Sequence, residues 1–465
     1  MSQRLIIHQF GPIADINIDV NDILVFIGSQ ASGKSTVSKA IFFFKSLKDD
    51  LYRYYLDCYN QNKFDNSISN FGKLAKQKFV KIYGSVLQSP NMRLEYRYRD
   101  EVRTYIYASQ DNHSIAIEFS NDFVKAFKQI MDKARSLHGE LHPKSSSFHS
   151  SREISAIKSK ESELLEDIEN ELNCLFCDDR DIVFLPAGRS LITTLSQQRY
   201  NIDMGDERLS NGDLDANSLP KLDYLTQNFI SRIDQIKPIF DKGMNNLIGE
   251  YHEIYSHNPE TIKTIILARD IINSVLKGSY SSLNGIEKIA FADSKSTLIN
   301  FASSGQQEVV WILLIIFLLI LNQRKVFLVI EEPEAHLFPV AQKQIIDLIA
   351  IIVNQANDSN YHIGNQVILT THSPYILSSF NNLLYAHTLV WKSKKLEKLE
   401  KLEKVSDIVD SHFWIDPNRL DAYILEDGTA RSIVDREIGL IQSAEIDRAS
   451  NIIVDTFNQL FDLED

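Results

Sequence analysis

Four short motifs hold the residues of this chain whose types and spacing could do chemistry. Gly28-Ser29-Gln30-Ala31-Ser32-Gly33-Lys34-Ser35 fits G-x-x-x-x-G-K-S and is followed by Thr36. Its two glycines let a loop turn backbone N–H groups inward around a phosphate, Lys34 offers a charge to β- and γ-phosphates, and the Ser35 hydroxyl is placed to ligate Mg2+. Glu331 and Glu332 are adjacent carboxylates. Side chains alternate along a strand, so the two can divide the work: we assign Glu331 to the metal and Glu332 to the attacking water as general base. His372, in Thr370-Thr371-His372-Ser373, can donate a hydrogen bond to a γ-phosphate or to that water. The fourth motif, Ser303-Ser304-Gly305-Gln306-Gln307, is the weakest taken singly, because small and amide residues ahead of a helix are commonly an N-cap and no more. Singly, the others also have bland readings as a Gly/Ser turn, an acidic loop and a structural histidine. Their order along one chain points instead to a nucleoside triphosphate and Mg2+.

Positioning these residues takes particular elements. Ile23-Leu24-Val25-Phe26-Ile27 is a five-residue apolar run that predicts a strand, and a helix pattern follows the lysine, which is the strand–loop–helix context a phosphate loop requires. Val326 to Ile330 is too short for a helix and rich in β-branched residues, so it reads as a buried parallel strand. Glu331 and Glu332 then lie at its carboxyl end, where open parallel sheets bind ligands. A third strand through Val367-Ile368-Leu369 delivers His372 and is stopped by Ser373-Pro374. The apolar run from Val309 to Leu321 predicts a buried helix behind the Ser-Ser-Gly-Gln-Gln loop and is short of a membrane span. The fold class is α/β, a P-loop NTPase.

Residues 1–120 read as mostly strands around the phosphate-loop helix, with alternation in Met92-Arg-Leu-Glu-Tyr-Arg-Tyr and Thr104-Tyr-Ile-Tyr predicting an antiparallel flank. Residues 121–285 form a largely helical insertion, in which Ser145 to Ser151 is a flexible link, Arg152 to Leu175 a helix, 200–221 an exposed loop, and Leu222 to Lys277 a second helical stretch. That insertion is either a partner-recognition element or a lid. Residues 286–392 resume with strands at Ile286, and 393–465 form a C-terminal extension. Within it, Lys394 to Lys404 has leucines every three residues, a poor coiled-coil period, and reads as a solvated tract.

With 465 residues, 44% hydrophobic and 24% charged, the chain has the composition of a globular protein that buries a large core. A net charge of −13 argues against a surface that coats DNA generally, while leaving a local basic groove open. Cys58, Cys174 and Cys177 are odd in number and lack zinc-finger partners, so we read reduced thiols in a cytoplasmic protein and take Cys-x-x-Cys as helix spacing. The amino terminus runs into a strand pattern without a signal-like apolar core, and no membrane association is expected.

Together with Phe10-Gly11-Pro12-Ile13, Pro186-Ala187-Gly188-Arg189-Ser190 and Glu-Glu-Pro-Glu-Ala-His-Leu-Phe-Pro at 331–339, the four motifs resemble the ABC-type ATPases of the RecF, SMC and overcoming-lysogenization-defect group. The resemblance covers about the first 390 residues. It implies an ABC-ATPase head with an antiparallel β flank and a helical insertion, ATP and Mg2+ as cofactors, and a signature loop (Ser304, Gly305, Gln306) that binds the γ-phosphate held by a second copy. ATP binding would then join two copies head to head, with higher oligomers also open. The loop lacks the double glycine of transporter ATPases, Glu331 stands where most P-loop enzymes have aspartate, and no glutamine is assigned to Mg2+ sensing. Within the group the chain is most similar to stand-alone bacterial anti-phage ATPases, such as AriA of PARIS and PtuA of Septu. These use the ATPase as sensor or scaffold for a separately encoded effector, here expected to be a nuclease, with a phage-derived trigger. Two further readings compete: a DNA repair or recombination ATPase that clamps DNA, and a scaffold that holds ATP and seldom hydrolyses it.

Overall fold

The computed structural model describes residues 3–65, 67–84, 91–109, 114–141, 151–190, 223–291, 295–355, 364–395, 399–442, 454–456 and 458–459. Its elements begin with β1 (Gln3–Phe10), β2 (Ile13–Val20), β3 (Ile23–Ile27), α1 (Lys34–Asn60), α2 (Ser69–Tyr83), β4 (Arg93–Arg97), β5 (Arg103–Ala108), β6 (Ile115–Phe119), α3 (Asn121–Leu141), α4 (Ser151–Phe176) and β7 (Asp181–Leu185). They continue with α5 (Tyr224–Ile236), α6 (Gly243–His252), α7 (Pro259–Leu276), β8 (Ser279–Leu283), β9 (Ile286–Ala290), β10 (Ser296–Leu298), α8 (Ser304–Asn322), β11 (Val326–Glu331), α9 (Pro339–Asn354) and β12 (Gln366–Thr371). The last are α10 (Pro374–Lys395), α11 (Leu399–Ile408), β13 (Leu420–Glu426), β14 (Thr429–Ser432), β15 (Val434–Asp435) and β16 (Leu440–Ile441). Two compact units emerge, one of Met1–Asn21, Ala31–Ile182 and Leu425–Ala430, the other of Asp22–Gln30, Val183–Ile424 and Arg431–Asp465.

In the first unit, β1, β2, β4, β5 and β6 pair antiparallel in the order β6-β5-β4-β1-β2. Alternation puts Leu5, Ile7, Leu94, Tyr96 and Ile106 on a buried face, as the period of a half-buried strand demands. Against it lies an aromatic core in which Phe44 stacks on Tyr96, and Tyr98 meets Phe176 edge-on. Buried phenols stay satisfied: Tyr98 donates to the Phe44 carbonyl at 2.8 Å and Tyr55 to the Phe127 carbonyl at 2.9 Å. A buried ion pair, Lys45 with Asp178, ties α1 to the loop after α4, and Lys48 adds bonds to the carbonyls of Asp178 (2.9 Å) and Arg180 (3.2 Å).

The second unit holds the strands β13-β3-β12-β11-β7, in which β13 pairs parallel with β3, β3 with β12 and β12 with β11. Every residue of β3, β11 and β12 is buried, which is why these strands read as continuous apolar runs rather than alternating ones. Behind the sheet, α8 is buried along nearly its whole length from Glu308 to Leu321, and Trp311 at its centre meets Tyr280 edge-on. By length and composition α8 is the one described helix apolar enough to cross a membrane, and 67% of that stretch is buried within the protein. A separate three-stranded sheet, β10-β9-β8, completes the unit.

Several expectations need correction. Of Lys394 to Lys404, Lys394, Lys395, Glu400, Glu403 and Lys404 are exposed, but the tract is not wholly without packing: α10 runs to Lys395, α11 begins at Leu399, and Leu402 lies half-buried beside Val405, which packs with Ala386 and Val390 of α10. The stretch from Leu420 supplies β13, whose Leu420 pairs with Ile23 of β3, so part of the expected extension is a strand of the second unit's sheet. The amino-terminal region contains α2, a helix the strand reading missed. Cys174 lies in the last turn of α4, but Cys177 falls just past it at φ 49°, so the Cys-x-x-Cys straddles a helix end. Of the expected link only Ser151 is described, as the first residue of α4, and the loop 200–221 lies outside the described residues.

Candidate functional site

The phosphate-loop residues join β3 to α1 without interruption. Gly33 caps α1 at φ 101°, its carbonyl accepting from the Val37 N–H at 3.0 Å, and Ala31 also has a positive φ, 61°. A Cβ on Gly33 would come within 2.3 Å of Ile13 Cδ1, so geometry and space both demand glycine there. Left-handed residues of this kind turn successive N–H groups to one side, making an anion cradle, and the first turn of α1 carries no acidic side chain to compete for it. Lys34 is buried, with Nζ 3.5 Å from Ser32 Oγ. Ser35 and Thr36 follow on the first turn of α1, where the Thr36 carbonyl accepts from the Tyr83 hydroxyl at 2.9 Å.

Within the second unit, the parallel register brings the other candidates to one sheet edge. Thr371 pairs with Ile27, the residue before Gly28, and Thr370 pairs with Glu331. Glu331 is buried, and its Oε2 accepts from the Ala187 N–H at 3.4 Å. Glu332 leaves the strand at φ 46°, with its N–H held by the Thr370 carbonyl at 2.9 Å, and this turn puts its Oε1 3.5 Å from His372 Nε2. Glu331 is therefore sequestered while Glu332 and His372 face solvent together, both about two-fifths exposed.

Glu334 belongs to this group, although the sequence reading gave it no role. Its Oε1 accepts from Thr371 Oγ1 and from the His372 N–H, both at 2.7 Å, so it fixes the backbone that carries the imidazole. Gln342 of α9 accepts from Ser373 Oγ at 2.6 Å and secures the next residue.

The Ser-Ser-Gly-Gln-Gln loop opens α8 with a capping box: Ser303 Oγ accepts from the Gln306 N–H at 3.4 Å, and Gln306 Oε1 accepts from the Ser303 N–H at 3.0 Å. Gln306 Nε2 donates to the Leu276 carbonyl at 2.7 Å, so that side chain is engaged within its own unit. Ser304 is exposed beside it. A Cβ on Gly305 would lie 2.7 Å from the His336 carbonyl oxygen, which makes the glycine the condition for close approach of this loop to the segment after Glu332.

Arg189 and Glu308, neither given a role from sequence, form the buried heart of the site. Arg189 is 0% and Glu308 1% exposed. Burial pushes the guanidinium below its usual pKa, and the carboxylates of Glu308, Glu331, Glu334 and Glu332 pull it back up. The signal in the sequence was the Pro-Ala-Gly-Arg-Ser string alone, because its partner is 119 residues away. The donor chemistry of each unit taken by itself suits a nucleotide and Mg2+: in the first, a positive-φ cradle with a lysine and the Ser35 hydroxyl; in the second, the Glu331 carboxylate, an oxygen donor of the kind a hard cation takes. Among the described residues no cluster of three His, Cys, Asp or Glu side chains is arranged to hold a metal.

Comparison with known families matches residues 1–377 to the model of an AAA ATPase domain. No curated protein matches the chain. Among solved structures, the SMC head domain from Thermotoga maritima aligns at 10% identity over 93% of this chain and 98% of that one, with a TM-score of 0.34. An Smc head domain with an extended coiled coil, bound to the C-terminal domain of ScpA, from Pyrococcus furiosus, aligns at 11% identity over 93% and 95%, TM-score 0.35. The recombination mediator protein RecF aligns at 10% identity over 93% and 98%, TM-score 0.32.

Proposed function

This chain belongs to the AAA ATPase domain family, and we propose that it is a Mg2+-dependent ATPase in which ATP joins two copies head to head and so controls a separately encoded effector. The observation that carries the reading is the shared sheet edge, where Ile27 runs into Gly28, Thr370 stands opposite Glu331, and Glu332 meets His372 at 3.5 Å.

Lys34 and the N–H groups of 28–36 would hold the triphosphate, and Ser35 with Glu331 would hold Mg2+, which when bound neutralises the β- and γ-phosphate oxygens. Glu332, solvent-facing and beside His372, takes the proton of the attacking water, and His372 donates toward the γ-phosphate. Because Gln306 spends its side chain on the cap, the Ser304 hydroxyl and the N–H groups of the first turn of α8 are what a partner's γ-phosphate would meet. Self-association is supported by exposed apolar side chains in the same unit, Phe301 at 79% just before the signature loop and Phe338 at 76% just after the His336 segment that Gly305 approaches.

On the resemblance to anti-phage ATPases, the effector is a nuclease, the compartment is the cytoplasm, and a phage product is the trigger. The test is purification of tagged Glu332→Gln protein from its host with Mg2+ and ATP. A co-purifying nuclease whose cutting is restrained or released by ATP supports this reading; repair factors and nucleic acid move the assignment to a DNA clamp.

One observation favours that second reading. Arg4, Arg97 and Arg103 pair in one register row across β1, β4 and β5, with Arg93 four residues from Arg97 along β4 and so on the same face. Three of the four arginines share the single carboxylate of Glu95. A locally basic sheet face on an acidic chain suits a phosphate backbone.

A further inference from the structure

The geometry points to Arg189 and Glu308 as positioning residues that couple the signature loop to the general base Glu332, an inference that rests on the ATPase reading above. The Arg189 guanidinium gathers acceptors from three separate segments. Nη1 donates to the carbonyls of Pro186 and Glu331, the latter at 2.7 Å, Nη2 donates to the Glu332 carbonyl at 2.9 Å, and Nε donates to the Glu308 carbonyl at 3.1 Å. Glu308, in the second turn of α8, returns the contact: Oε1 lies 3.2 Å from Arg189 Nη2 and accepts from the Arg189 N–H at 3.0 Å, and Oε2 accepts from the Ser190 N–H at 2.6 Å.

Stability alone is a weak reason for such a pair. Buried ion pairs can be replaced by apolar residues with little loss, whereas leaving one partner alone is costly. What the pair supplies is position. Its bonds go to two successive carbonyls, those of Glu331 and Glu332, whose side chains carry the metal and base roles. Glu332 has φ 46° although the next residue is Pro333, and both facts work against that backbone state in a residue with a Cβ. A strained peptide keeps its shape only when its surroundings hold it. Here the Thr370 carbonyl holds its N–H and Arg189 holds its C=O.

At the other end, the capping box locks Ser303 and Gln306 into the first turn of α8, and Glu308 is on the turn that follows. Engagement of Ser304 and Gly305 by a second copy therefore pulls on a rigid helix end that carries Glu308. Movement of Glu308 shifts Arg189, and Arg189 shifts the Glu332 peptide. The base is set in its catalytic direction when the loop is occupied, which makes hydrolysis conditional on assembly.

The experiment compares native protein with Glu308→Gln and Arg189→Lys, measuring ATP turnover across protein concentration, KM for ATP, binding of a fluorescent ATP analogue, and thermal unfolding. Native turnover per chain rises with protein concentration as composite sites form. The proposal expects kcat in Glu308→Gln to fall at least about tenfold and to lose that concentration dependence, with nucleotide affinity within about threefold of native and Arg189→Lys intermediate. Should Glu308→Gln fail to fold, Glu308→Asp keeps the charge one methylene short and must show the same split. Variants that fold and turn over ATP like native protein, or whose kcat falls only in proportion to the fraction unfolded, overturn the coupling. A native chain that binds ATP but turns over no faster than its Glu332→Gln variant overturns the ATPase reading and the coupling with it, and is told apart by the native measurement alone.

Discussion

At the scale of single residues, the site separates two adjacent carboxylates by environment: Glu331 is buried against the Ala187 N–H, while Glu332 turns out beside His372. A carboxylate that must meet water needs the second environment, and one that holds a hard cation gains from the first. Glu332→Gln should therefore lower ATP turnover by about 10²–10³-fold with nucleotide binding retained, read by steady-state phosphate release against analogue binding. Lys34→Ala should instead abolish binding of the analogue, because the charge it removes serves ground-state and transition-state phosphates alike. The residues with local signatures were legible from sequence: a glycine pair, a lysine, a double carboxylate after an apolar run. Arg189 and Glu308 were not, because their meaning lies in contacts across 118 to 143 residues, nor was Glu334, whose contacts reach 37 and 38 residues along the chain; no local spacing encodes either.

Elements set how far these residues may move. Ala is a better helix former than Gly by about 1 kcal/mol, so Gly305→Ala should stabilise α8 if helix propensity decided the matter. The methyl would lie 2.7 Å from the His336 carbonyl, and repulsion at that distance wins. The expected result is no gain in melting temperature and, on the proposed function, a clear loss of turnover, since the Ser-Ser-Gly-Gln-Gln loop separates from the segment after Glu332. Trp311, fully buried in α8 against Tyr280, should cost about 3–5 kcal/mol on replacement by alanine, measured by urea denaturation. The buried parallel strands β3, β11 and β12 were readable because both faces are covered and the run is uniformly apolar. β13 was not, since its pairing partner β3 lies at the other end of the chain. α11 was not read as a helix because a three-residue leucine spacing looks aimless until α10 is present to receive Leu402 and, beyond the repeat, Val405.

Over the whole molecule, two units are stabilised by different chemistry, and the first carries a pH-dependent element. Burial of Asp178 would raise its pKa, but Lys45, Arg180 and Lys48 together outweigh it and hold the carboxyl well below the usual aspartate range. The unfolded chain then takes up this proton at higher pH than the folded one, so the contribution is full above the ordinary aspartate pKa and is lost as pH falls below it. Acid unfolding followed by circular dichroism should show a weaker pH dependence in Asp178→Asn below about pH 5, from a lower starting stability. If the basic face of the first unit serves DNA, Arg97→Glu with Arg103→Glu should remove DNA stimulation of turnover and leave basal turnover unchanged. The central claim is that ATP joins two copies of this chain. The most direct measurement is the mass of Glu332→Gln in solution, by sedimentation, with Mg2+ and ATP and without them. The account predicts a species that doubles in mass with ATP and fails to do so when Ser304 is replaced by arginine; a mass unaffected by ATP at concentrations that saturate binding would contradict it.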